Sequence, residues 1–152
     1  MTERELINGG ADAPNEHNVL QALLRDDLRF FVQKVFNWLH TGVDYNHNWH
    51  IESITHALSR VDSGEDLRLL ITQPPRSLKS IITSVAWPAW RLGHDPAHNF
   101  LCVSYSQDLA TELSEKFRRL VDAPWYKEAF PKAKFIKLTQ TDCLTSALMR
   151  QI

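Results

Sequence analysis

Apolar residues along this chain follow two rhythms. From Leu20, the positions Leu23, Leu24, Phe31, Val35 and Leu39 share one helical face, and the pattern closes near Thr41-Gly42. A polar loop from Tyr45 to Trp49 leads into a second helical pattern of Ile51, Ile54, Leu58 and Val61, closed by Ser63-Gly64. The rhythm then changes: Leu67, Leu69, Leu70 and Ile71 form a short apolar run of the kind found in a buried parallel strand, and it stops at Gln73. Helical spacing returns with Ile81, Ile82, Val85 and Ala86, is bent at Pro88 and ends at Leu92-Gly93. Asn99 to Val103 make a second buried strand, and parallel strands joined by a helix predict a right-handed βαβ unit. A third helix follows, with Ser106 as N-cap, Asp108 in its first turn and Leu109, Leu113, Phe117 and Leu120 inward, ending at Asp122-Ala123-Pro124. Trp125, Tyr126, Phe130 and Pro131 form a short aromatic segment, and Phe135, Ile136 and Leu138 lie in a possible basic strand with Lys132, Lys134 and Lys137.

The bend between the first strand and its helix carries the chemistry. Gln73, Pro74, Pro75, Arg76, Ser77 and Leu78 lead into Lys79 and Ser80, the arrangement of a degenerate phosphate-binding loop. Such a loop holds a polyphosphate through backbone N–H groups at a helix start, a lysine on the outer phosphates and a hydroxyl on magnesium. Lys79 and Ser80 supply the last two parts. The usual G-x-x-x-x-G-K-[ST] pattern has glycine where this chain has Gln73 and Leu78. A left-handed Leu78 would cost on the order of 1 to 2 kcal/mol, so the loop either takes another shape or bears that strain. A lysine and serine at an exposed helix start also fit a plain solvated first turn.

Composition narrows the class. The 152 residues make one domain's worth of chain, and 43% hydrophobic residues suffice for a core. No apolar run approaches the roughly 20 residues that span a bilayer, and the polar start lacks a signal peptide's apolar stretch. A cytoplasmic protein without a membrane partner is expected. Cys102 and Cys143 give neither a disulfide framework nor metal-site spacing. His47 and His50 are three apart, but no further ligand follows at metal-site spacing. The net charge of −1 is unevenly placed: residues 1–75 carry 6 basic and 11 acidic side chains, and residues 76–152 carry 11 and 7. The positive second half permits contact with phosphate or DNA, and it equally fits solvated helix faces. Residues 1–17 show no apolar period and are expected to be a mobile tail. The aromatics Phe30, Phe31, Phe36 and Trp38 on the first helix fit core packing better than a base-stacking surface.

Taken together, Pro74-Pro75-Arg76-Ser77-Leu78-Lys79-Ser80, Val85-Ala86-Trp87-Pro88-Ala89-Trp90, Val103-Ser104-Tyr105-Ser106, Arg118-Arg119-Leu120 and Pro124-Trp125-Tyr126 resemble the large subunit of tailed-phage terminases. The similarity runs from about Phe30 to about Asp142, in the same order and with similar gaps. It implies an α/β fold: an incomplete P-loop NTPase (RecA-like, ASCE) parallel sheet flanked by helices and preceded by two helices, spanning 18–142. It also implies ATP and Mg2+ as cofactors. Double-stranded DNA, the portal and the small terminase subunit are the partners that it implies. The resemblance assigns the nucleotide to Gln73, Pro75, Arg76, Ser77, Leu78, Lys79 and Ser80, with Ser80 on the metal and Arg76 sensing or triggering the γ-phosphate. Trp49 and His50 occupy the place where related motors read adenine, with histidine standing where the relatives have glutamine.

Two parts of the motor are missing. No apolar strand ends in Asp-Glu, the motif that holds magnesium and orients the attacking water. The acidic nuclease domain is also absent, and from Cys143 to Ile152 the resemblance stops. The expectation is therefore an amino-terminal terminase fragment with a divergent tail at 143–152, as from a frameshift or truncation, unable to turn over ATP alone. The alternative is a non-catalytic nucleotide-binding or adaptor protein that docks a packaging partner. A small P-loop kinase would need an acceptor site and lid, and no later segment offers them.

Overall fold

The computed structural model describes residues 15–133. The described chain is an assembly of helices: α1 (Glu16–Asp26), α2 (Leu28–Leu39), α3 (Trp49–Asp62), α4 (Lys79–Ile81), a π-helical turn (Ile82–Ala86), α5 (Trp87–His94), α6 (Gln107–Asp122) and α7 (Pro124–Ala129). Helix accounts for 63% of it, and among the described residues there is no strand.

This corrects the expected α/β fold. The two apolar runs exist as segments without helix, turn or bend at 68–74 and 98–104, but they do not pair with each other. Leu67 and Leu70 are 89% and 90% exposed, where a strand of a parallel sheet would be buried on both faces. β-rich composition expresses a tendency to fit a pleated, half-buried surface, and no such surface forms here. The helices pack on one another instead, so Ser104-Tyr105-Ser106 leads into α6 without a preceding strand. The possible strand at Phe135–Leu138, the tail at 143–152 and most of the tail at 1–17 lie outside the described residues.

The first expected helix is two. Asp27 breaks it with an extended backbone (φ −126°, ψ 112°), and its carboxylate accepts the Arg29 N–H at 2.8 Å as the N-cap of α2. Leu24, Leu28, Phe31, Val32, Val35 and Phe36 are buried, whereas Leu20, Leu23, Phe30 and Trp38 keep substantial exposure. Phe31 is the hub, with its ring centroid 5.8 Å from those of Trp125 and Phe130 and 6.2 Å from that of Tyr126. The Tyr126 hydroxyl donates to the Ala89 carbonyl at 2.7 Å, and burial holds its pKa far above the ordinary phenol value.

The helix from Lys79 to His94 forms the spine. Ile82, Val85, Ala86 and Ala89 are buried, and α6 lies against the π turn. Pro88 explains the turn: in a regular helix its ring would meet the carbonyl four residues back. Here the Trp87 N–H reaches Ile82 O, five residues back, which widens the helix just before the proline. The helix ends at His94, one residue past the stop expected at Leu92-Gly93, and Gly93 also meets the Phe130 ring. A Cβ there would sit 2.4 Å from Phe130 Cδ1, so the glycine lets α5 close on that ring. Trp90 Nε1 donates to Leu24 O at 3.2 Å, and Arg91 Nε lies 2.6 Å from Asp62 Oδ1, an ion pair without hydrogen-bond geometry. These contacts fix the spine against α1 and α3, and with it the position of Lys79.

Candidate phosphate site

Residues 73–80 run from an unpaired segment through a turn at Pro75-Arg76 into the start of the spine. Two residues of this loop have left-handed backbone without being glycine: Arg76 (φ 66°) and Leu78 (φ 60°). The strained alternative foreseen for Leu78 is thus the one adopted. It persists because Leu78 is packed against the hydrophobic core and caps the helix, its carbonyl accepting the Ile82 N–H at 2.9 Å. Left-handed residues alternating with ordinary ones turn successive N–H groups toward one side, which makes an anion-binding concavity.

The helix start adds donors. No side chain caps α4, and the N–H groups of Lys79, Ser80 and Ile81 find no acceptor among the described residues. They sit at the positive end of a helical run that continues to His94. The Lys79 side chain is half-buried, and Arg76 and Ser80 are exposed; among the described residues Lys79 makes no ion pair and the buried Ser77 hydroxyl oxygen has no hydrogen-bond partner. Farther on, Thr83 Oγ1 donates to Lys79 O at 2.9 Å and ties the first turn to the π segment. Gln73 is half-buried and Pro75 exposed on the approach to the turn.

Trp49 and His50 stand apart from this group. Both lie at the start of α3, where Trp49 is 70% exposed and meets the His50 ring edge-on at 6.4 Å. Among the described residues, no hydrogen bond, ion pair or ring contact joins either to residues 73–80. His50 Nε2 is buried and has no hydrogen-bond partner among the described residues. His47, three residues before His50, bonds Glu52 Oε1 at 3.1 Å. A shallow groove lined by Gln33, Asn37, His40, Asp44 and Tyr45 lies elsewhere and includes none of the loop residues.

Sequence reasoning placed Lys79 and Ser80 at the helix start correctly. Arg76 and Ser77 were both assigned to this loop, but an arginine gives no sign of a positive φ, and the burial of the Ser77 hydroxyl was not legible either. Residues 73–80 can supply backbone donors, one ammonium, one guanidinium and two hydroxyls. That is the donor set of a polyphosphate cradle, and among the described residues no carboxylate is bonded to any of it. Compared with protein-family models, curated proteins and solved structures, the chain matches none.

Proposed function

We propose that residues 73–80 bind the phosphates of ATP, and that the chain corresponds to the nucleotide-binding portion of a terminase large subunit. The left-handed backbone at Leu78 carries this reading. Strain of this kind persists where the surroundings over-determine it, and such places cluster at ligand clamps. The uncapped helix start and a Lys79 without an ion pair among the described residues support it. The donor set fits a magnesium-bound triphosphate. Backbone N–H groups from Arg76 to Ser80 would face the inner phosphates, Lys79 the outer ones, and the Ser80 hydroxyl the magnesium. Arg76 would pair with terminal phosphate oxygens in the bidentate manner that lysine lacks. The bound ion would supply charge neutralisation.

DNA, the portal and the small terminase subunit enter as partners through the resemblance in the motifs quoted above. No helix among the described residues is long and apolar enough to cross a membrane. A second reading, a nucleotide-binding adaptor that performs no turnover, is favoured by one observation: no described carboxylate bonds to Arg76, Lys79 or Ser80. Equilibrium binding of a fluorescent ATP analogue with magnesium tests the site. Lys79→Ala abolishes binding, and Arg76→Ala weakens it less. Equal binding by the unaltered chain and Lys79→Ala would remove the site.

A further inference from the structure

The groups that residues 73–83 leave to a ligand differ in kind from those they commit to the protein. Arg76 and Ser80 are exposed, Lys79 is half-buried, and the N–H groups of Lys79, Ser80 and Ile81 have no acceptor among the described residues. Guanidinium and ammonium groups donate hydrogen bonds and accept none. The apolar side chains go the other way: Leu78 and Ile81 pack against the core, and Ile82 is fully buried. The Thr83 hydroxyl is committed to Lys79 O at 2.9 Å.

A nucleobase asks for the second kind of group. It needs a flat apolar or aromatic face to stack on and, at its edge, side chains such as amides that donate and accept at once. The one amide of the loop, Gln73, is half-buried on the approach to the turn, and the apolar side chains at the helix start are already engaged by the core. Trp49 and His50 do not make up the difference. His50 meets the Trp49 ring edge-on at 6.4 Å, its Nε2 is buried, and among the described residues no hydrogen bond, ion pair or ring contact joins either residue to the loop.

We propose that residues 73–80 select the magnesium-bound triphosphate itself and are indifferent to the base attached to it, so that GTP, CTP and inorganic tripolyphosphate bind as ATP does. This inference rests on the phosphate reading of the loop and narrows it to a substrate class. What the loop recognises is a row of charged oxygens, met by a planar guanidinium, a point-charge ammonium and backbone N–H groups. The base and ribose extend beyond the inner phosphate into solvent and add no affinity.

Displacement of a fluorescent ATP analogue from the full chain at fixed magnesium tests it, with ATP, GTP, CTP and inorganic tripolyphosphate as competitors. A base stacked on an aromatic ring raises affinity by about 5- to 150-fold, so competitors whose bases are not read fall within about fivefold of one another. Adenosine, which keeps the base and lacks the phosphates, does not displace the analogue. Lys79→Ala loses all four competitors together, with far-ultraviolet circular dichroism unchanged. Trp49→Ala, at an exposed position, binds ATP as the unaltered chain does. An analogue that does not bind, or that binds Lys79→Ala equally, removes the site and this inference with it. Binding that needs Lys79 yet favours ATP over GTP or tripolyphosphate by more than about fivefold, or weakens by as much in Trp49→Ala, keeps the site and overturns this inference alone.

Discussion

Arg76 and Leu78 adopt a backbone that most side chains avoid, at a cost of about 1–2 kcal/mol each. The two sites respond differently to glycine. Arg76 is exposed, so Arg76→Gly removes strain without removing packing, although glycine's greater freedom in the unfolded chain offsets part of the gain. The expected result is a chain about 0.5–1 kcal/mol more stable to urea that binds ATP more weakly, a stability gain coupled to a functional loss. Leu78→Gly sums opposing effects, because Leu78 also packs on the core. The positive φ of Arg76 was not legible in the sequence, whereas that of Leu78 stood as one of two alternatives. Absence of the usual glycines argued against the loop, whereas here core contacts hold Leu78 in the shape that glycine would adopt freely. The lysine-serine pair was legible, since a helix start is marked by the apolar spacing that follows it.

Among the helices, α3 and α6 were legible almost to the residue because each has a single apolar face and a clear stop. The break at Asp27 was not, because Leu24, Phe31 and Val35 keep a common period across it and the cap residue had no weight beside them. Asp27→Ala is expected to cost about 1 kcal/mol, the usual loss of an N-cap. Its carboxyl is held below the ordinary value of 3.8, chiefly by the hydrogen bond from the Arg29 side chain. With the folded pKa depressed, this contribution is complete above pH 3.8 and disappears as the pH falls through the lower folded value. Urea midpoints of the unaltered chain and Asp27→Ala therefore differ at pH 7 and converge toward pH 2. Gly93 marks the end of α5 to within one residue, as glycine after an apolar helix should, but its packing role against the Phe130 ring was not legible. Gly93→Ala should destabilise by about 1–3 kcal/mol through overpacking. Adding Phe130→Leu should recover part of that loss, as a double-mutant cycle of urea midpoints would show.

The whole molecule differs most from its sequence at 67–71 and 101–105, where strand-like composition meets no partner within the described chain. A short apolar run specifies burial, not what it is buried against, so the sheet was the least secure step from pattern to fold. The same incompleteness governs turnover. The loop supplies binding and charge neutralisation through Arg76, Lys79 and Ser80, but hydrolysis also needs a carboxylate to hold magnesium from the other side and a group to align water. Neither is bonded to the loop among the described residues. Absence of one positioned catalytic group lowers the rate by about 10²- to 10⁴-fold, and among the described residues no carboxylate bonds to the loop to hold magnesium. The chain alone should therefore release phosphate no faster than its Lys79→Ala variant and leave DNA uncut, even at saturating ATP and magnesium. A magnesium-dependent phosphate-release assay on the two proteins decides the point. Turnover well above the variant would locate a catalytic carboxylate outside the contacts described here, and Asp142, beyond residue 133, is the first to replace with asparagine.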